Sequence, residues 1–165
     1  MNNIILIGMP GAGKSTVGVV LAKNMGYKFI DSDIVIQEKY GMLLHQIIEK
    51  YGTNGFNDIE NQVNSELTAD NSIIATGGSV VYGKEAMEHL KSIGTVVYLK
   101  LPYTSIKRRL GDLNKRGVSL EKGETLKTLY EKRIPLYEKY ADITIDCNKK
   151  SIRSIVHEIS GKFNI

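Results

Sequence analysis

Residues 8–16 read Gly8-Met9-Pro10-Gly11-Ala12-Gly13-Lys14-Ser15-Thr16, which fits the pattern G-x-x-x-x-G-K-[ST]. The flanks restrict the chain further. Ile4, Ile5, Leu6 and Ile7 form a short apolar run suited to a buried strand. Val17, Val20 and Leu21 then recur at helical spacing, and Gly26 supplies a stop. Strand, glycine loop and helix follow in the order that makes a phosphate cradle. Glycines let backbone N–H groups close around a polyphosphate without side-chain clashes. The helix N-terminus adds unpaired N–H donors and the positive end of a dipole. Lys14 reaches the outer phosphates, and the Ser15 hydroxyl can ligate Mg²⁺.

Bulk properties narrow the classes. A chain of 165 residues with 42% apolar and 24% charged residues suits one soluble domain with a real core. The net charge of +4 is as well explained by a nucleotide substrate as by nucleic acid. No block of five like charges marks a basic arm, and no basic stripe with stacking aromatics is evident, so nucleic acid is not an expected partner. Cys147 is the single cysteine, which excludes an internal disulfide and favours a reducing compartment. The first strand begins almost at Met1, with no room for a cleaved signal peptide. No apolar run approaches the ~20 residues a bilayer requires. The expectation is a cytoplasmic protein, monomeric, acting on a small molecule without membrane partners.

Strand-like and helix-like segments alternate. Strands are expected at 3–8, 28–31, 72–76, 95–100 and 142–146. Ile59, Val63 and Leu67 give one helical face; Ile152, Ile155, Val156, Ile159 and Phe163 give another. Such alternation implies an α/β fold with a mainly parallel sheet between helices. Right-handed crossovers then bring segments 8–15, 31–33 and 77–79 to one sheet edge, where ligands bind. Residues 111–124 are polar, contain three glycines and read as a loop. A loop this long is usually functional or disordered. In a phosphoryl-transfer enzyme its role is a lid that shields ATP from water.

Further candidates cluster after the strands. In Asp31-Ser32-Asp33, one carboxylate can hold Mg²⁺, directly or through water, and the other can orient or deprotonate an acceptor hydroxyl. Asp33 alternatively caps the helix that follows. The third strand ends in Thr76-Gly77-Gly78 without a metal-binding Asp, which favours Asp31 as the metal residue. Gly77 and Gly78 permit close backbone approach to a ligand or form a tight turn. Arg116 sits within the lid, Arg108 and Arg109 precede it, and Arg133 follows; arginine suits phosphate clamping. His45, His89 and His157 show no ligand spacing, and Asp146 is given no role.

Taken together these segments resemble the shikimate kinases, small P-loop kinases of the nucleoside-monophosphate-kinase type. The resemblance spans nearly the whole chain. It rests on Gly8–Thr16, Phe29-Ile30-Asp31-Ser32-Asp33, Gly52 with Phe56 and Glu60, Ala75-Thr76-Gly77-Gly78, Val96-Val97-Tyr98-Leu99 and Arg133-Ile134-Pro135-Leu136-Tyr137 with Ala141-Asp142. It implies one P-loop kinase domain over 1–165, with a substrate region near 33–60 and a lid at 111–124. The implied fold has three layers around a five-stranded parallel sheet in order 2-3-1-4-5. The implied reaction is ATP- and Mg²⁺-dependent phosphorylation of the 3-hydroxyl of shikimate, within aromatic amino acid biosynthesis. Gly11, Ala12, Gly13, Lys14, Ser15 and Thr16 would hold the nucleotide, with Ser15 and Asp31 supporting the metal. Arg109 would flank the adenine, and Arg116 would reach the phosphates. Asp33 would contact the acceptor hydroxyl, Gly77 and Gly78 would lie against the substrate, and Arg133 would bind its carboxylate. Lys14, Asp33 and Arg116 would carry the catalysis.

Three positions depart from the family pattern. The usual Phe-Arg-x-x-Glu reads Phe56-Asn57-Asp58-Ile59-Glu60, so Asn57 stands where an Arg grips the shikimate carboxylate and, as an expected substrate-binding residue, could donate only a neutral hydrogen bond. The third glycine is Ser79, and the lid motif Arg-Pro-Leu-Leu reads Arg116-Gly117-Val118-Ser119. Loss of a charge-assisted hydrogen bond costs about 1.5–3 kcal/mol. That weakens binding roughly ten- to a hundred-fold. The acceptor side then has three readings: a weaker shikimate site, a site compensated by a lysine such as Lys50, or a site for a different small alcohol, sugar acid or nucleoside monophosphate. A nucleotide-binding protein without chemistry is the reading of another class.

Overall fold

The computed structural model describes residues 2–110 and 123–163. The apolar run after the N-terminus forms β1 (Asn3–Ile7), every residue of which is buried. A strand buried on both faces is the signature of a central parallel strand. β1 accordingly pairs in parallel with β3 (Ser72–Ala75) on one side and β4 (Gly94–Lys100) on the other. β2 (Lys28–Asp31) and β5 (Ile143–Asp146) complete the edges, giving the order β2-β3-β1-β4-β5. The expected strands are all present, with ends within a residue of those read from the sequence.

From β1 the chain moves one way to β2 through α1 (Lys14–Met25). It then moves the other way through α2 (Ser32–Tyr40), α3 (Leu44–Ser65), α4 (Lys84–Ile93), α5 (Tyr103–Leu110) and α6 (Leu126–Tyr140). α7 (Ile152–Lys162) returns to pack beside α1. Ile155, Val156 and Ile159 of α7 are buried in the main core, and Phe163 packs against it from the helix end. The expected face of Ile59, Val63 and Leu67 is divided, because α3 stops at Ser65 and Leu67 packs from the loop beyond.

Two features prepare the site. α3 breaks at Gly52, where φ 74° and ψ 173° leave the helical region, so its second half runs on a new axis. Ile36, Ile47, Phe56, Ile59 and Val63 then form a second apolar cluster that fixes α2 against α3. Among the described residues no helix is long and apolar enough to cross a membrane.

At the opposite end of the sheet, buried Asn3 joins three segments. Its Nδ2 donates to the carbonyls of Ala69 and Ile93, each at 2.9 Å, and its Oδ1 accepts from the Ser72 N–H at 3.0 Å. Asn3→Ala leaves these groups unpaired and is expected to cost about 2–4 kcal/mol. Urea unfolding measures this; a loss below about 1 kcal/mol would show that the side chain is not a structural tie.

Candidate active site

The loop after β1 turns on left-handed glycines. Gly11 and Gly13 have φ of 82° and 93°, conformations that L side chains rarely adopt. Gly8 is fixed by space as well, since a Cβ there would lie 2.8 Å from the Leu99 carbonyl oxygen of β4. Gly13 then serves as the N-cap of α1, with no side chain satisfying the first-turn N–H groups. These orphan donors suit an anion. The Lys14 ammonium donates to the carbonyls of Gly8 at 2.7 Å and Met9 at 2.9 Å, which holds it at the loop. Burial lowers its pKa to about 8, partly opposed by Asp33. A bound phosphate favours the charged form. Arg109 Nη1 donates to the Gly11 carbonyl at 3.1 Å, placing this exposed guanidinium on the loop rim.

Asp31 closes β2 and caps α2. Its Oδ1 accepts from the Asp33 N–H at 3.0 Å, and its Oδ2 accepts from the Ser15 hydroxyl at 3.2 Å. The capping role considered for Asp33 thus belongs to Asp31, whose position one residue before the helix has the extended backbone a cap needs. Asp33 is left in the first turn with its carboxylate free. Ser15 and Asp31, the two expected metal residues, are brought together as a pair of hard oxygen donors, a donor type that suits Mg²⁺.

The loop, the start of α2, the second half of α3 and the turn after β3 enclose a cavity of about 290 Å³. Lys14, Asp33, Phe56, Glu60, Gly77 and Ser79 are among its lining residues. Gly77 is glycine for lack of room: a Cβ there would lie 2.6 Å from Glu60 Oε2 and 2.7 Å from Asp33 Oδ1. Both oxygens are buried without a hydrogen-bond partner. An orphaned buried polar atom is costly unless a ligand or water pairs it. Burial and the neighbouring Asp31 raise the Asp33 pKa to about 6, against the pull of Lys14. Glu60 is only 1% exposed, and burial with Asp33 nearby raises its pKa to about 8. Its Oε1 accepts from the Ser79 hydroxyl at 2.6 Å. This hydrogen bond, Arg133 and Lys14 oppose the rise.

Arg133 reaches the same turn from α6. It is 1% exposed, and its Nη1 lies 2.8 Å from where a Cβ on Gly78 would sit. Its Nε donates to the Tyr82 hydroxyl at 3.2 Å. Burial opposes its charge, but the phenols of Tyr137 and Tyr82 outweigh that and hold its pKa above the ordinary value. Tyr137 also donates to the Gly78 carbonyl at 2.5 Å, which fixes the glycine turn to α6.

The structure therefore gathers Gly11, Gly13, Lys14, Ser15, Thr16, Asp33, Gly77 and Gly78 around one cavity. Buried Ala12 is not among the lining residues and packs in the main core. Asn57, expected at the substrate, and Lys50 are not among the lining residues, and neither is Arg133, which lies behind the lining residue Gly78. Asn57 is half-buried with Oδ1 unpaired, and exposed Lys50 lies over the Tyr51 ring at 5.3 Å. The compensating role considered for Lys50 finds no support in that position. Arg116 and the lid up to residue 122 lie outside the described residues. Sequence reasoning quoted Glu60 without giving it a role, and it missed the Ser79 contact and the Tyr82 and Tyr137 clamps on Arg133. The available signal was the i, i+4 placement of Phe56 and Glu60, which sets an acid on the helical face beside a core aromatic.

Known proteins share this fold. The shikimate kinase family model matches residues 10–163. The shikimate kinase of Francisella tularensis subsp. holarctica is 39% identical over 162 residues, spanning 96% of this chain and 92% of its own. Among solved structures, shikimate kinase from Acinetobacter baumannii in complex with shikimate has a TM-score of 0.89 at 37% identity, covering 99% of this chain and 93% of that one. Shikimate kinase from Aquifex aeolicus has a TM-score of 0.83 at 33% identity, covering 98% and 96% respectively. The chain belongs to the shikimate kinase family.

Proposed function

We propose that this protein transfers the γ-phosphoryl group of ATP to the 3-hydroxyl of shikimate, with Asp33 as the residue that takes the acceptor hydroxyl. The observation that carries the reading is the free, cavity-facing Asp33 Oδ1 beside the phosphate loop, in a chain of this family. ATP with Mg²⁺ is the phosphoryl donor. Mg²⁺ held at Ser15 and Asp31 would offset the charge of the phosphates.

Each residue then has a physical task. The loop N–H groups and the N-terminus of α1 hold the phosphates in place, so that little reorganisation is needed during transfer. Lys14 leaves its two carbonyl contacts, or shares them, to face the outer phosphate oxygens. Asp33 Oδ1 accepts the hydroxyl hydrogen and aims the oxygen at phosphorus. As the oxygen bonds to phosphorus and the bond to ADP breaks, the hydroxyl proton passes to Asp33. Arg133 presents a fixed positive charge to an acidic acceptor, and Arg109 is placed to flank the nucleotide base. Arg116 would add charge from the lid. We assign these roles to one domain over 1–165, monomeric, with residues 33–60 forming the acceptor side.

A second acceptor is favoured by one observation. Asn57 brings no charge and lies off the cavity lining. A related hydroxy acid or sugar acid is therefore the competing substrate. Shikimate-dependent ADP release, set against a no-acceptor control and a panel of other hydroxy acids, separates the two. Highest kcat/KM with shikimate supports the proposal; no stimulation by shikimate in protein that binds ATP refutes it.

Two substitutions dissect the roles. Asp33→Asn is expected to lower kcat by roughly 10²–10⁴-fold while nucleotide affinity stays within about twofold. ATP affinity falling in step with activity would contradict the assignment. Lys14→Met removes a charge-assisted partner of phosphate and is expected to weaken ATP binding about ten- to a hundred-fold by calorimetry. An unchanged affinity would remove Lys14 from phosphate binding.

A further inference from the structure

Glu60 is the one strongly buried carboxyl of the cavity to which the reaction above gives no task. Its surroundings are one-sided. Oε1 is engaged by the Ser79 hydroxyl at 2.6 Å, whereas Oε2 is buried, unpaired and aimed above Gly77. The charged groups that face it are Asp33 on α2, Lys14 on α1 and Arg133 on α6. Among the described residues, Glu60 has no ion-pair partner. Asn57, nearly one turn before it on α3, supplies no cation either.

We propose that Glu60 works in the acceptor site as a neutral carboxylic acid, whose Oε2–H donates a hydrogen bond to an oxygen of the anionic acceptor. The proton is placed by geometry. Oε1 already accepts a hydrogen bond, and Oε2 alone faces the cavity without a partner. A neutral acid there offers a donor without adding charge next to Asp33. Ionised, the same group would lose its donor and set a second negative charge against the acceptor carboxylate. Burial favours the neutral form, and the pKa of about 8 places the change just above neutrality. In this chain a neutral donor thus stands in the site where the cation expected at position 57 is lacking.

The inference rests on shikimate as acceptor, and its direction follows from the sign of the shift. Below about pH 8 Glu60 keeps its proton and binds. Above it the proton must be taken up on binding, so the KM for shikimate rises with pH, by up to about tenfold per unit. Lys14 titrates in the same range, so the comparison is made with the nucleotide site saturated, where phosphate holds Lys14 charged.

The test measures the KM for shikimate from about pH 6 to about pH 10 in the unaltered enzyme and in Glu60→Gln, at saturating Mg-ATP. Glutamine keeps a donor and cannot ionise, so its KM is expected to stay level where that of the unaltered enzyme climbs. The KM for ATP should not separate the two. Ser79→Ala removes a bond that favours the ionised form, so the climb should begin at higher pH. Calorimetry of shikimate binding at about pH 8 in the presence of Mg-ADP, in buffers of different ionisation enthalpy, reads the proton directly. Uptake of a fraction of a proton by the unaltered enzyme is expected, and it does not depend on the variants folding. Parallel KM profiles for the unaltered enzyme and Glu60→Gln, or no proton uptake, would overturn the inference. No shikimate-dependent turnover in the unaltered enzyme at any pH would instead overturn the functional reading on which it rests.

Discussion

Lys14, Asp33 and Glu60 line one cavity, buried or nearly so, with buried Arg133 reaching the glycine turn beside it, and burial together with neighbouring charges sets the ionisation of the three lining groups. Burying an isolated charge costs several kcal/mol or more. Here the cost is met by alternation. Lys14 faces Asp33, and Arg133 is wrapped by two phenols. Glu60 pairs one oxygen with Ser79 and holds its proton more tightly than an exposed acid does. The result is a site whose two carboxyls and two cations differ in strength by environment rather than by type. A carboxyl at about 6 beside one at about 8 is the separation that the proposed roles of base and donor require.

The fold is what makes this grouping possible. A parallel sheet sends the C-terminal ends of β1, β2 and β3 to the same edge, so the phosphate loop, the Asp31-x-Asp33 cap and the Gly77-Gly78 turn converge without long excursions. The chain breaks its helix at Gly52, and the second half of α3 brings Glu60 to the cavity wall. Tyr137, buried in the core and stacked on Tyr98 at 5.2 Å, links α6 to β4 and to the glycine turn. Arg133 is therefore held by the core itself, as a buried charge with little freedom left to lose.

Much of this was legible in the sequence, for local reasons. The nucleotide loop is a contiguous motif whose strand, glycines and helix are all adjacent, and Asp31-Ser32-Asp33 follows its strand directly. The division of labour between the two aspartates needed the backbone, because capping depends on which residue is extended. The acceptor side was less legible because its parts are distant in sequence. Ser79 meets Glu60 across 19 residues, and Tyr82 and Tyr137 meet Arg133 and Gly78 through tertiary packing. The departure at position 57 was visible as a missing cation. That Asn57 would sit off the cavity lining, with Lys50 turned to Tyr51, followed only from the course of α3.

The central claim is that burial and mutual fields set the ionisation of the acceptor-site carboxyls. Carbon-13 NMR titration of the side-chain carboxyls, assigned with Asp33→Asn and Glu60→Gln, tests it most directly. The account predicts that Asp33 titrates near 6 and Glu60 near 8, both well above exposed carboxyls of the same chain. Titration of both in the ordinary range near 4 would contradict it.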